Sequence, residues 1–265
     1  MQRNEFPRGG ILSGADLKMI AVFTMTIDHV AAGLLYQKIL KNPTAVPEFM
    51  SREEIRKLYK IMRDIGRIAF PIYCFLLVEG FLYTHSRAKY CIRLFLFALI
   101  SEIPFNLGLY GSIRYPSHNN VFFELGAGLC AVWIWDTIDR MRYGEYKGPA
   151  VLQRTSEIFR RFPLAAVLLQ AASAVGIAYL AYILKFDYRY KGIALILLLY
   201  LLRFDRHVQA LGGALFMSIW ELPAVISFFP LIFMYNGKRG FQLKYFFYLY
   251  YPLHLIVIYL LSRMF

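Results

Sequence analysis

The stretch Leu17-Lys-Met-Ile-Ala-Val-Phe-Thr-Met-Thr-Ile-Asp-His-Val-Ala-Ala-Gly-Leu-Leu-Tyr36 decides the fold class. It is apolar apart from Lys18, two threonines, Asp28 and His29, and it closes on a tyrosine. About 20 such residues, at about 1.5 Å each, cross the roughly 30 Å of hydrocarbon in a bilayer. Lipid offers the backbone no hydrogen-bond partner, so a run of this kind must be a helix that satisfies its own N–H and C=O groups.

Working outward, further apolar runs follow at Ile65 to Tyr83, Cys91 to Tyr110, Val121 to Ile138, Pro163 to Leu184, Gly192 to Leu202, Val208 to Trp220, Pro223 to Tyr235 and Tyr245 to Leu261. Alternating ten-residue barrel strands are not visible. The pattern predicts an all-α, polytopic transmembrane helical bundle of about 8 to 10 spanning helices in one domain. Three of the runs, between Gly192 and Tyr235, are short and read as half-helices or as pairs sharing one passage.

Composition agrees: 58% of the chain is hydrophobic and 17% aromatic, above the roughly 45 to 50% apolar content of soluble domains. The net charge of +13 comes from basic residues that punctuate the ends of apolar runs, as at Lys38 and Lys41, Arg87 and Lys89, or Arg160 and Arg161. That placement suits anionic headgroups and topology rather than nucleic acid. The charged connections Lys38 to Asp64 and Asp139 to Phe162 are expected outside the membrane as interfacial helices. They fall on opposite faces, so the excess of Lys and Arg on one side does not choose an orientation. Met1 to Gly10, polar and basic, leads into the first span without a small-residue cleavage site, so no removable signal peptide is expected. Cys74, Cys91 and Cys130 lie in apolar runs without metal-ligand spacing and read as core residues.

Charged groups at membrane depth cost at least about 2.5 to 3.5 kcal/mol each and are therefore functional candidates. Asp28, His29, Arg67, Glu79, Glu102, Glu124 and His254 qualify. Lys18 and His29, eleven residues apart, share one helix face at about 16 Å separation. One end of that stripe suits a phosphate and the other proton transfer; equally, Lys18 suits a snorkelling anchor and His29 an interhelical hydrogen bond. Asp28 points about 100° away from His29, toward a neighbouring helix. Tyr248, Tyr251 and His254, with Tyr250, form a polar stripe or an aromatic belt on the last span. His85, His118 and His207 have no second ligand at metal spacing and read as surface residues.

Several strings resemble the TraX family of membrane proteins associated with N-terminal acetylation of conjugative pilin. They are Leu17 to His29, Gly66-Arg-Ile-Ala-Phe-Pro71 with Glu79-Gly-Phe81, Arg93 to Phe105, Tyr235-Asn-Gly-Lys-Arg-Gly240, and Lys244 to Leu255. The resemblance implies a membrane acyltransferase that uses acetyl-CoA or another acyl-CoA as donor substrate, with no metal. The spacing of Lys18 and His29 also resembles the acyltransferase-3 class, whose corresponding histidine is the proposed catalytic residue. On this reading His29 is catalytic, with Asp28, Glu79, Glu102 or His254 orienting it or the acceptor. Lys18, Arg67, Lys238 and Arg239 hold the donor's phosphates at the cytoplasmic side, and Arg67 alternatively pairs with a buried carboxylate such as Glu79. The acceptor is a pilin N-terminus, an envelope glycan or a lipid. Two departures bear on it: Asp187-Tyr-Arg-Tyr-Lys-Gly192 carries extra charge where Asp-Tyr-Gly is expected, and Glu124 stands in place of a threonine. The rival is a small proton-coupled transporter or lipid flippase, with the short spans as broken helices at its site; a purely structural membrane subunit is the third.

Overall fold

Each long apolar run becomes a helix with an identifiable start and stop. The computed structural model describes residues 10–42, 50–241 and 243–264; the segment 1–9, where no cleavage is expected, lies outside them. Helix α1 (Gly14–Val30) begins at Ser13, whose hydroxyl accepts from the Asp16 amide while the Asp16 carboxylate accepts from the Ser13 amide. That reciprocal cap satisfies two of the otherwise orphaned amides of a helix start. A π-helical segment, Ala31–Leu40, prolongs it. The same device at Ser51 and Glu54 starts α2 (Arg52–Gly66), which turns at Arg67 and Ile68 into α3 (Ala69–Tyr83). Within the expected extramembrane connection from Lys38 to Asp64, α2 therefore forms one long, bent element with α3 and packs on α1.

Next come α4 (Arg87–Tyr110), stopped by Gly111 at φ +68°, and α5 (Val121–Arg142), capped by Asn120. After α6 (Gln153–Arg161) follow α7 (Pro163–Ile183), α8 (Arg189–Leu201), α9 (Arg206–Trp220), a broken stretch over 222–232, and α10 (Lys244–Met264). Among the described residues, six helical elements are long and apolar enough to cross a membrane. The chain is a multi-pass membrane protein. The three short runs expected between Gly192 and Tyr235 are α8, α9 and the broken stretch. At 13 residues, α8 is too short to face lipid across a bilayer of about 30 Å; it is buried along most of its length instead, where neighbouring helices replace lipid.

Connectivity gives the bundle two ends. Leu12 bridges to Tyr235, and the Gly14 amide donates to the Lys238 carbonyl, so α1 and the approach to α10 start at one end. Asn119 bridges to Phe186 at the other. Two glycines bring α1, α4 and α10 together: a Cβ on Gly33 would collide with the Gly108 carbonyl and Ile258, and a Cβ on Gly108 with the Leu255 carbonyl. Small residues of this kind let membrane helices approach at backbone distance. Here they seat His254 of α10 against His29 of α1.

Candidate functional site

The His29 Nδ1 to His254 Nε2 distance is 2.7 Å. The tautomers follow from what lies behind. His254 Nδ1 is 2.8 Å from the Tyr250 carbonyl, which can only accept, so that nitrogen carries the proton. Neutral His254 then offers a lone pair at Nε2, and His29 Nδ1–H donates to it. This leaves His29 with an unprotonated Nε2, the atom a general base needs.

His29 lines a cavity of about 570 Å³. Three ion pairs line it, together with Arg189 and Lys191, which lie over the Tyr182 and Trp220 rings. Arg63 Nη1 is 2.5 Å from Asp28 Oδ2, Arg67 Nε 3.4 Å from Glu221 Oε2, and His118 Nε2 2.8 Å from Asp187 Oδ1. Gly66 lies so close that a Cβ there would overlap the Asp28 carboxyl. Burial works against a charged His118, but the hydrogen bond and negative charge of Asp187 outweigh it and raise its pKa. Tyr36, Tyr59, Tyr110, Tyr188 and Trp220 complete the walls.

A second cavity, of about 360 Å³, opens at the end where α1 begins. Its walls are largely aromatic, from Tyr73, Tyr90, Phe122, Phe247, Tyr248 and Tyr251, and Lys18, Arg93 and Arg239 face into it. Lys18 Nζ stands 5.4 Å from the Phe247 ring centre, and Arg93 lies over Tyr90 at 5.8 Å. Among the described residues none of these three cations makes an ion pair. The inner end reaches Met25, one turn before His29, and Tyr251, whose ring centre is 5.8 Å from that of His29. The two cavities thus approach the histidine pair from opposite ends of the bundle, His29 lining one and Tyr251, beside it, the other.

Both cavities and the pair between them fall within residues 13–262, which match the family model described as TraX protein. The chain belongs to the TraX family. It is 30% identical over 270 residues to the probable fimbrial assembly protein FimC, serogroup H1, of Dichelobacter nodosus, covering 93% of this chain and 94% of that one. No solved structure matches.

Within this family member the residues singled out from sequence separate into groups. Asp28, His29 and His254 come together, and Asp28 is turned toward Arg63 of α2. Lys18 and Arg239 share the aromatic cavity. Arg67 does not join them, which corrects the expected phosphate set: it opens an element running opposite to α1 and therefore lies at the other end of the bundle. Nor does it pair with Glu79, which is bound instead to Arg206 at 3.3 Å. Lys238 contributes its carbonyl to the start of α1 and does not line the cavity. Glu102 is spent on structure, accepting from the Asn120 and Asn106 side chains at 2.6 and 3.2 Å.

The sequence departures at 124 and 187–192 turn out to be one feature. The Glu124 carboxylate accepts from the Tyr188 amide at 3.2 Å, and a Cβ on Gly192 would overlap it. Glu124 thus caps the start of α8 in a place where water cannot. Sequence reasoning missed Arg63, Tyr188, Glu221 and the His118–Asp187 couple in the polar cavity, and Arg93 as a wall of the aromatic one.

Proposed function

We propose that this protein is a membrane acyltransferase that moves an acetyl or other short acyl group from acyl-CoA to the terminal amine of a pilin subunit. The observation that carries the proposal is the 2.7 Å contact of His29 with His254, between a polar cavity that His29 lines and an aromatic one that ends at Tyr251 beside it. Family membership and the fimbrial assembly role named for the relative favour a pilin acceptor over a glycan or lipid.

In this reading Lys18, Arg93 and Arg239 hold the donor's phosphates, since they are cations without internal counter-ions. The aromatic walls exclude water from the acyl thioester, which reaches the histidine pair past Tyr251. The acceptor enters the polar cavity, where Asp28, Asp187 and Glu221, each already ion-paired, can exchange a partner for the incoming amine. An α-amine is largely protonated at neutral pH, with a pKa of about 7.7 to 8.0, so it must lose a proton before attack. His29 Nε2 takes a proton from the nitrogen as it bonds to the thioester carbon. The tetrahedral adduct collapses, the C–S bond breaks, and CoA leaves as a thiolate that takes up a proton. Histidine-bound protons return to water through the polar cavity.

The test is thiol release from acetyl-CoA by detergent-purified protein with a peptide bearing the pilin N-terminus, read beside the mass of the peptide. Wild-type protein should release thiol and add one acetyl group, His29→Ala should do neither, and Lys18→Ala should need more acetyl-CoA. Folded wild-type protein that fails to bind acetyl-CoA would overturn the reading.

A further inference from the structure

A third cavity, of about 730 Å³, lies apart from the other two, lined by Arg87, Trp133, Thr137, Arg140, Glu145, Tyr146 and Lys147 among others. We infer that it is a binding site for the phosphodiester headgroup of an anionic phospholipid. Its level in the membrane follows from the chain: Arg87 is the first residue of α4 and Arg140 lies in the last turn of α5. Both stand where a span meets the headgroups.

The charge is not balanced internally. Asp136, its side chain wholly buried, holds Arg87 Nη1 and Arg140 Nε at 2.7 Å each through one oxygen, and accepts from the Tyr200 hydroxyl at 3.2 Å through the other. One carboxylate thus organises two guanidinium groups and neutralises one of them. Lys147 and Glu145 line the same cavity, and neither makes an ion pair among the described residues. Three cations against two carboxylates leave one net positive charge, the complement of one phosphodiester. The remaining N–H groups of a guanidinium suit phosphate oxygens.

The wall is pre-formed. The Glu145 amide donates to the Arg140 carbonyl at 2.8 Å, and Gly144 makes the turn at φ +75°. Tyr146 packs on the small core of Ile138, Met141, Phe159 and Ala166. The connection that carries this wall also exposes Tyr143, Val151, Ile158 and Phe162. Apolar groups on a basic, amphipathic segment lie in the interface rather than in water. A lipid is therefore at hand, and a soluble anion is not the better fit.

The experiment is native mass spectrometry with thermal unfolding of the full chain in a neutral detergent, adding phosphatidylglycerol, phosphatidylcholine or inorganic phosphate in turn. Phosphatidylglycerol alone should bind as a retained single lipid and raise the unfolding temperature. Lys147→Ala, an exposed position without an internal partner, should weaken that binding about fivefold, while Lys89→Ala, on the same face but outside the cavity, should not. Stabilisation by inorganic phosphate equal to that by the lipid would replace the lipid with a free anion. Equal binding of phosphatidylcholine, or an unchanged Lys147→Ala, would overturn the site. None of these readings depends on acyl transfer.

Discussion

The two cavities on either side of the His29–His254 pair differ in how their charges are settled. In the polar cavity Asp28, Glu221 and Asp187 answer Arg63, Arg67 and His118 within the chain. In the aromatic cavity Lys18, Arg93 and Arg239 face the space with no carboxylate in ion-pair range among the described residues. Lys18 and Arg93 are half-buried and Arg239 is exposed, so the cluster is partly shielded from water without an internal partner and suits an anion supplied from outside. Paired charges instead fit a ligand that is itself near neutral, or that exchanges one partner for another. The difference is the basis on which we propose the anionic donor at one end and the amine at the other.

The largest test strikes the junction. His29→Ala should lower acyl transfer by about 10²- to 10⁴-fold, the usual worth of a positioned general base, with the fold intact by thermal unfolding. His254→Ala should lower it less, because that residue fixes a tautomer and touches no substrate. Equal transfer by wild type and His29→Ala would remove the junction from the chemistry.

The next test sets cation against cation. Arg93→Ala should raise the KM for acyl-CoA about tenfold or more, as expected for loss of a charge-assisted hydrogen bond, and leave kcat nearly unchanged. Arg67→Ala should leave that KM unchanged and raise the KM for the acceptor peptide. The reverse pattern would exchange the roles of the two ends.

Much of this organisation was legible in the sequence, and the exceptions have physical reasons. The apolar runs ending at Tyr36, Tyr83 and Tyr110 became helices because lipid leaves the backbone no alternative. The shortness of α8 was legible too, and burial explains it. Arg67 and Lys18 are both cations near the start of a span, which groups them in the sequence. Yet spans alternate in direction, and that alone separates them. Arg63 escaped notice because it sits in a charged, amphipathic stretch that reads as a solvated face; only the packing of α2 on α1 turns it toward Asp28. The partners of Arg67 lie far along the chain, at Tyr188 and Glu221, and no local pattern announces them. In the sequence Glu124 bears on acceptor specificity, and its geometry gives it another task.

That task supplies the third test, on the floor of the polar end. Glu124→Ala removes the acceptor of the Tyr188 amide in a site closed to water, at a cost of about 1 to 3 kcal/mol. Glu124→Gln keeps a carbonyl oxygen there and should recover part of it. Thermal unfolding distinguishes the two; equal stability of Glu124→Ala and wild type would mean that α8 is held by its apolar packing alone.

The smallest effect belongs to the His118–Asp187 couple, at the mouth of the same cavity. Asp187 raises the pKa of His118 from 6.5 against burial and against the positive charges of Arg189 and Arg63. A group whose pKa is raised by folding binds its proton more tightly in the folded state. The couple therefore stabilises the fold fully at pH below the unfolded value, and that contribution is lost as pH rises through the raised one. Both side chains are about a third exposed, with 29% and 31% of their surface open, so solvent screening holds the effect to about 1 kcal/mol or less. Asp187→Asn should unfold at a lower temperature than wild type near pH 5.5, by a margin that narrows above about pH 7. A margin that widens with pH would mean that Asp187 answers the arginines rather than His118, and the polar end would then carry one fewer settled pair than the geometry assigns to it.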